Sequence, residues 1–297
     1  MKAKSQLIIY TDLDGTLLDH HSYEAVASLP ALQTALRCGV PVVFCSSKTR
    51  AEIEVLQHEL GVHHPFIVEN GGAVYVPSGY FPFELERSED REAYQVIELG
   101  LPYEKLVTAL RLLRSHLPYR LAGFSDLTVE EVAVICELPL DKARCAKARE
   151  YDEPFRLLPP TPEAERAVQQ RIKQAGLQCS IGGRFWHLHG NNDKGGAIKL
   201  LSSFYRRACG NIFTIGLGDS PNDAPLLKAV DWPVLVQRPN GAFADGLELQ
   251  IPQLNFAQAS GPHGWNAAIS YVLNRIQAID ISAGSAAAIG CALKSQA

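Results

Sequence analysis

The run Leu7-Ile8-Ile9-Tyr10-Thr11-Asp12-Leu13-Asp14-Gly15-Thr16 sets a short apolar stretch directly before two aspartates two positions apart. The apolar stretch reads as a strand, and the Asp-Gly that follows reads as the loop leaving it. Ligands of open parallel sheets bind at the carboxyl ends of strands, so two acids placed there can share one cation. Downstream the pattern repeats: a helix over 28–38, a strand over 40–45, a helix over 49–60 and a strand over 66–68. Strand and helix in alternation predict an α/β fold with a parallel sheet.

The same alternation returns late, with a helix over 194–209, a strand over 212–216, a helix over 223–229 and a strand over 233–236. Between the halves, residues 84–189 are richer in charge. They hold helical stretches near 103–116 and 163–175, a strand-like 132–138 and the junction Leu158-Pro159-Pro160-Thr161-Pro162. The expected architecture is therefore a doubly wound parallel-sheet core, residues 1–85 and 190–276, interrupted by an α+β cap over 86–189. A closing helix is expected over 265–276, and a frayed or disordered tail over 277–297.

Composition limits the function. The chain has 297 residues, 46% hydrophobic and 20% charged, which suits two folded domains. Lys+Arg 28 against Asp+Glu 32 gives a net charge of −4, so no positive field recruits nucleic acid. The seven cysteines show no CxxC and no zinc spacing, and read as reduced thiols of a cytoplasmic protein. The apolar run 7–10 is too short for a signal-peptide core, and no stretch approaches the roughly 20 apolar residues that cross a bilayer. The expected partner is a small molecule, with oligomeric state left open.

A second acidic cluster, Gly216-Leu217-Gly218-Asp219-Ser220-Pro221-Asn222-Asp223, also follows an apolar strand. Taken alone, its Ser-Pro-Asn-Asp is a helix start with Asn222 or Asp223 as cap. Taken with Asp12 and Asp14, it brings four carboxylates to one sheet edge. Such a cluster needs a divalent cation, and oxygen-only ligands point to Mg²⁺ rather than zinc. Ser46-Ser47-Lys48-Thr49 after the second strand, and Asp193-Lys194 opening a helix, add the hydroxyl and cation that phosphoryl chemistry requires.

This ordered set, DxDGT, a hydroxyl after a second strand, a lysine at a late helix and GDxxND, resembles the haloacid dehalogenase superfamily of phosphohydrolases. The resemblance implies Asp12 as the nucleophile that becomes an aspartyl phosphate and Asp14 as general acid and then base. It implies Ser46 and Lys194 on the phosphoryl group, and Mg²⁺ held by Asp12, the carbonyl of Asp14 and Asp219, with Asp223 supporting from behind. Asn222 binds phosphate or caps a helix.

Five further segments resemble one subfamily, the mannosyl-3-phosphoglycerate phosphatases: Ser46-Ser47-Lys48-Thr49-Arg50, Glu69-Asn70-Gly71-Gly72, 148–155, Gly183-Arg184-Phe185-Trp186-His187-Leu188 and Gly261-Pro262-His263-Gly264-Trp265-Asn266. That resemblance implies a phosphorylated glycoside as substrate and mannosylglycerate, a compatible solute, as product. Such a substrate asks for amides or acids against hydroxyls and an arginine against a carboxylate. Asn70 and Gly71, after the third strand, are candidates for the hydroxyls. Arg184 and His187 are pocket residues, or a surface charge and a satisfied core histidine. Arg149 and Glu153 sit near Pro154, where a helix is expected to end, and are pocket residues or a solvated helix end. Ser47 is a further candidate contact, and Lys48 holds phosphate or pairs with an acid. Glucosyl-3-phosphoglycerate and other sugar phosphates are alternative substrates. A phosphomutase, or a noncatalytic phosphosugar sensor, is a remoter reading.

Overall fold

The computed structural model describes residues 6–182 and 185–280. Arg184 and the expected tail from 281 onward lie outside them. Residues 277–280 are not tail but the last turn of the closing helix.

Strands and helices are numbered along the chain. Among the described residues, five strands form one parallel sheet in the order β13 (Asn255–Ser260), β12 (Trp232–Gln237), β11 (Ile212–Gly218), β1 (Gln6–Thr11), β2 (Val42–Phe44). On β1, Leu7 and Ile9 enter one apolar cluster while Ile8 and Tyr10 enter the other, so both faces of the sheet are covered. Helices α1 (Leu29–Arg37), α2 (Arg50–Leu60) and α10 (Gly261–Asp280) close the first face. Helices α7 (Lys194–Cys209) and α8 (Ala224–Lys228), with the short α9 (Leu247–Gln250), close the second. This is the doubly wound core expected from the alternation.

Strand β3 (Phe66–Val68) touches the sheet through one parallel bridge, Cys45 to Ile67, and then turns away. It pairs antiparallel with β4 (Ala73–Pro77), which pairs with β6 (Tyr94–Glu98), itself paired with β5 (Glu89–Arg91). Residues 89–98 are thus hydrogen-bonded to a core strand, and an insert beginning at 86 starts about a dozen residues too early by strand pairing. The charged run 89–92 reads as the start of a new domain, whereas it is the exposed hairpin edge of an existing sheet.

After Glu98 comes a separate antiparallel sheet, β7 (Arg120–Gly123), β8 (Glu153–Leu158), β10 (Phe185–His189), β9 (Gln178–Gly182). Its Phe155, Leu157, Trp186 and Leu188 are buried with residues of α3 (Tyr103–Ser115) and α6 (Pro162–Gln174) in a third apolar cluster. The alternate positions of β10, His187 and His189, take the opposite face. The expected strand over 132–138 is instead helix α4 (Val129–Cys136), followed by α5 (Leu140–Lys147). Its β-branched residues suggested a strand, but Thr128 and Glu131 form a reciprocal capping box that starts a helix. Arg149 follows the end of α5, as expected for a helix terminus, while Glu153 opens β8.

Candidate active site

The acids of the first motif leave β1 at its carboxyl end. Thr11 closes the strand, accepting from Trp265 Nε1 at 3.0 Å and donating to the Asp12 carbonyl at 2.7 Å, which fixes the first turn of the loop. Gly15 follows with φ +80°, and a Cβ there would lie 2.9 Å from Asp219 Oδ2. Only glycine lets this loop turn against the acid that leaves β11.

The carboxylates of Asp12, Asp219 and Asp223 are buried, with one oxygen from each lying within 4.8 Å of the others. Lys194, at the first position of α7, is buried with them, its Nζ 2.6 Å from Asp12 Oδ1 and 2.6 Å from Asp223 Oδ1. Burial and the neighbouring Asp223 push the Asp12 carboxyl up to about 7 against the pull of Lys194. Burial, Asp223 and Asp12 raise Asp219 as well. Burial works against the Lys194 ammonium, but Asp12 and Asp223 hold it above its ordinary value. One lysine does not offset three clustered acids, and an oxygen-only set of this kind fits a hard cation.

Asp223 also does local work. Its Oδ2 accepts from the Asp219 and Ser220 amides at 3.1 and 3.2 Å and from Ser220 Oγ at 3.1 Å, so it shapes the loop and Lys194 together. Ser220 Oγ also donates to Asn222 Oδ1. Arg238, which sequence reasoning passed over, donates its Nε to the Asp219 carbonyl at 3.3 Å.

The fourth expected acid stands apart. Asp14 Oδ2 pairs with Lys48 Nζ at 2.9 Å, and its Oδ1 is buried without a hydrogen-bond partner among the described residues. Lys48 also reaches Glu52 at 3.6 Å, so it pairs with two acids on the cavity wall. Ser46 is buried at the end of β2, its amide held by the Ile67 carbonyl. Ser46, Ser47, Lys48, Arg149, His187 and Asn222 share with Asp12 and Asp14 a cavity of about 350 Å³. A larger adjoining cleft, about 1210 Å³, contains Asn70, His189, Lys194, Asp219 and Asn222.

Several candidate substrate residues turn out to be held by protein partners. Arg149 is buried, with Nη1 donating to the Ser47 carbonyl at 2.7 Å and Nε to Ala146 at 2.9 Å. Asn70 donates to Asp152 Oδ2 at 3.1 Å, and the same oxygen receives His187 Nδ1 at 2.8 Å. Gly71 is buried with φ +88°, and a Cβ on it would fall 2.1 Å from the Asp193 carbonyl. It is the close approach that seats the start of α7, and therefore Lys194, beside the first motif.

Asp152 and Glu69 were not singled out from sequence, and Glu153 was weighed as a solvated helix end, yet all three are fully buried. Glu69 accepts the Glu150 and Tyr151 amides at 2.9 Å each, and burial, opposed by Arg149, pushes its carboxyl up to about 8. Glu153 accepts from Tyr103 and Ser125, both at 2.6 Å. The available signal was an acidic pair opening a strand, together with a His-Leu-His alternation that puts two imidazoles on one face.

The chain matches the model of the haloacid dehalogenase-like hydrolases over residues 9–97. It is 44% identical over 268 residues to the glucosyl-3-phosphoglycerate/mannosyl-3-phosphoglycerate phosphatase of Methanococcoides burtonii, covering 90% of this chain and 97% of that one. It is 38% identical to the mannosyl-3-phosphoglycerate phosphatase of Pyrococcus furiosus, over 77% of this chain and 90% of that one. A haloacid dehalogenase-like hydrolase structure from B. subtilis superposes with a TM-score of 0.63 at 19% identity, covering 89% of this chain and 99% of that one. Among the described residues no helix is long and apolar enough to cross a membrane. Nearly full-length relatives and the acids at two strand ends place this chain in the haloacid dehalogenase-like hydrolase family.

Proposed function

We propose that this protein is a Mg²⁺-dependent phosphatase of glycosyl-3-phosphoglycerates, with mannosyl-3-phosphoglycerate as its leading substrate and mannosylglycerate as product. The observation that carries the reading is the buried Asp12, Asp219, Asp223 and Lys194 cluster opening into a polar cavity under a cap. The printed names of the relatives supply the leaving group, and the two that cover 90% and 91% of the chain bear both sugars, so glucosyl-3-phosphoglycerate is a second substrate of the same site. We take residues 99–189 as the cap.

In the mechanism, Asp12 attacks phosphorus in line, forming its O–P bond as the bond to the glycerate oxygen breaks. Asp14 gives that leaving oxygen a proton, then takes one from the water that attacks the aspartyl phosphate and frees Asp12. The partnerless Asp14 Oδ1 is suited to both transfers, with Lys48 fixing the other oxygen. Lys194 and Asp223 lock the Asp12 carboxylate in place, and Ser46 is placed to donate to a nonbridging oxygen. Asp12, Asp219 and the Asp14 carbonyl would hold Mg²⁺, with Asp223 behind them; the ion would neutralise phosphoryl charge. Splitting one displacement at phosphorus into two in-line steps keeps each within reach of one acid and one nucleophile.

The test is phosphate release with Mg²⁺ from mannosyl-3-phosphoglycerate, glucosyl-3-phosphoglycerate, sucrose 6-phosphate, mannose 6-phosphate and 3-phosphoglycerate. The glycosyl-3-phosphoglycerates should lead by tenfold or more in kcat/KM, about 1.4 kcal/mol of transition-state preference. Equal turnover of simple hexose phosphates would reduce the reading to a general phosphatase.

A further inference from the structure

Among the described residues, one point in the smaller cavity has only the edges of two side chains near it although three elements converge there. Gly182 ends β9, and a methyl group built on it would stand 3.3 Å from Asn222 Nδ2 and 3.7 Å from His187 Nε2. Gly182, His187 and Asn222 all line that cavity together with Asp12 and Ser46. Neither nitrogen has a hydrogen-bond partner among the described residues, and each is aimed by a bond at its other end. Ser220 Oγ engages Asn222 Oδ1, which turns the amide nitrogen toward β9. The His187 side chain is 7% exposed, and its Nδ1 meets Asp152 Oδ2.

Asp152 fixes the orientation of that ring. Its carboxyl is held below its usual range, where the neighbouring His187, a hydrogen bond from it and Arg149 outweigh the cost of burial, so it accepts and does not donate. Nδ1 therefore donates to Asp152, and Nε2 is the nitrogen that faces the cavity. Asn222 offers N–H from the other side. A single hydroxyl between them accepts from the amide and, as both donor and acceptor, meets Nε2 in either form of the ring.

Resting on the glycosyl-phosphoglycerate reading, we propose that Gly182, His187 and Asn222 form a subsite for one hydroxyl of the sugar ring, with Asp152 as the residue that positions His187. Glycine at 182 is then a matter of space. Its φ lies outside the left-handed region and no contact of an added methyl falls under 3.0 Å, so alanine fits the backbone but occupies the hydroxyl's place.

The experiment is the ratio of kcat/KM for mannosyl-3-phosphoglycerate over 3-phosphoglycerate, measured for the wild type, Gly182→Ala, His187→Ala and the double variant. The ratio should fall tenfold or more in Gly182→Ala, mainly through KM, and the double variant should lose little beyond either single one. An equal fall on both substrates, additive losses or an unchanged ratio overturns the subsite. A wild type that ignores glycosyl-3-phosphoglycerates fails the functional reading instead. The same ratio taken for mannose 6-phosphate over 3-phosphoglycerate then decides the subsite by itself. A stability check is built in, since Gly182→Ala should keep the thermal midpoint of the wild type.

Discussion

The floor of the cleft and the cap wall above it are assembled in opposite ways. On the floor, Asp12, Ser46 and Asp219 each follow a neighbouring parallel strand, and Lys194 opens a helix behind them, so short motifs set the geometry. On the wall, His187 and Gly182 sit on strands paired by register, and Asp152 reaches both His187 and the core residue Asn70. The floor carries unbalanced charge that suits a cation and a phosphoryl group. The wall sets Arg149 against Glu69 and Asp152 and keeps a few directional nitrogens facing the cavity. The proposed function therefore makes chemistry and choice of substrate separable by mutation.

The largest effect should come from the floor. Asp12→Asn removes the nucleophile and should lower kcat about 10⁴-fold or more on every phosphoester, read by phosphate release. Loss confined to glycosylated substrates would break the division between floor and wall. Lys194→Met leaves Asp12 and Asp223 unpaired, and should cost about 10²- to 10³-fold in kcat, again whatever the leaving group. Chelation of divalent cations should abolish turnover, with Mg²⁺ restoring it.

Where floor and wall meet, stability is at stake. Gly71→Ala forces a methyl into the Asp193 carbonyl at a left-handed φ, and should cost about 3 kcal/mol in chemical denaturation. Glu69 gives a smaller, pH-dependent effect. Its carboxyl rises from 4.5 to about 8 on folding, so the folded state favours the protonated form. The stability it contributes is complete below pH 4.5 and is lost as pH rises through 8. The thermal midpoint of Glu69→Gln should therefore lie furthest below the wild type in acid, and the gap should narrow with rising pH.

The floor was legible because its residues are local to strand ends that apolar periodicity reveals: Asp12, Asp14, Ser46, Lys194, Asp219 and Asp223 all come to one sheet edge. Even there Asp14 departs from the acidic cluster, because Lys48 one strand away draws its carboxylate aside. The wall was legible only in part. His187 was named, but Asp152 was not, since its partners lie 35 and 82 residues away and depend on pairing that no local pattern encodes. Gly71 stood out as a candidate contact, whereas its importance lies in backbone approach to a residue 122 positions later. Val132 misled for the converse reason: a capping box at Thr128 and Glu131 outweighs β-branched side chains.

The central claim is that one carboxylate of the floor takes the phosphoryl group. Rapid quenching during turnover of mannosyl-3-phosphoglycerate, followed by peptide mass analysis, should find a hydroxylamine-sensitive phosphoryl adduct on Asp12, absent from Asp12→Asn. An adduct on another residue, or phosphate release by Asp12→Asn at the wild-type rate, would contradict the account.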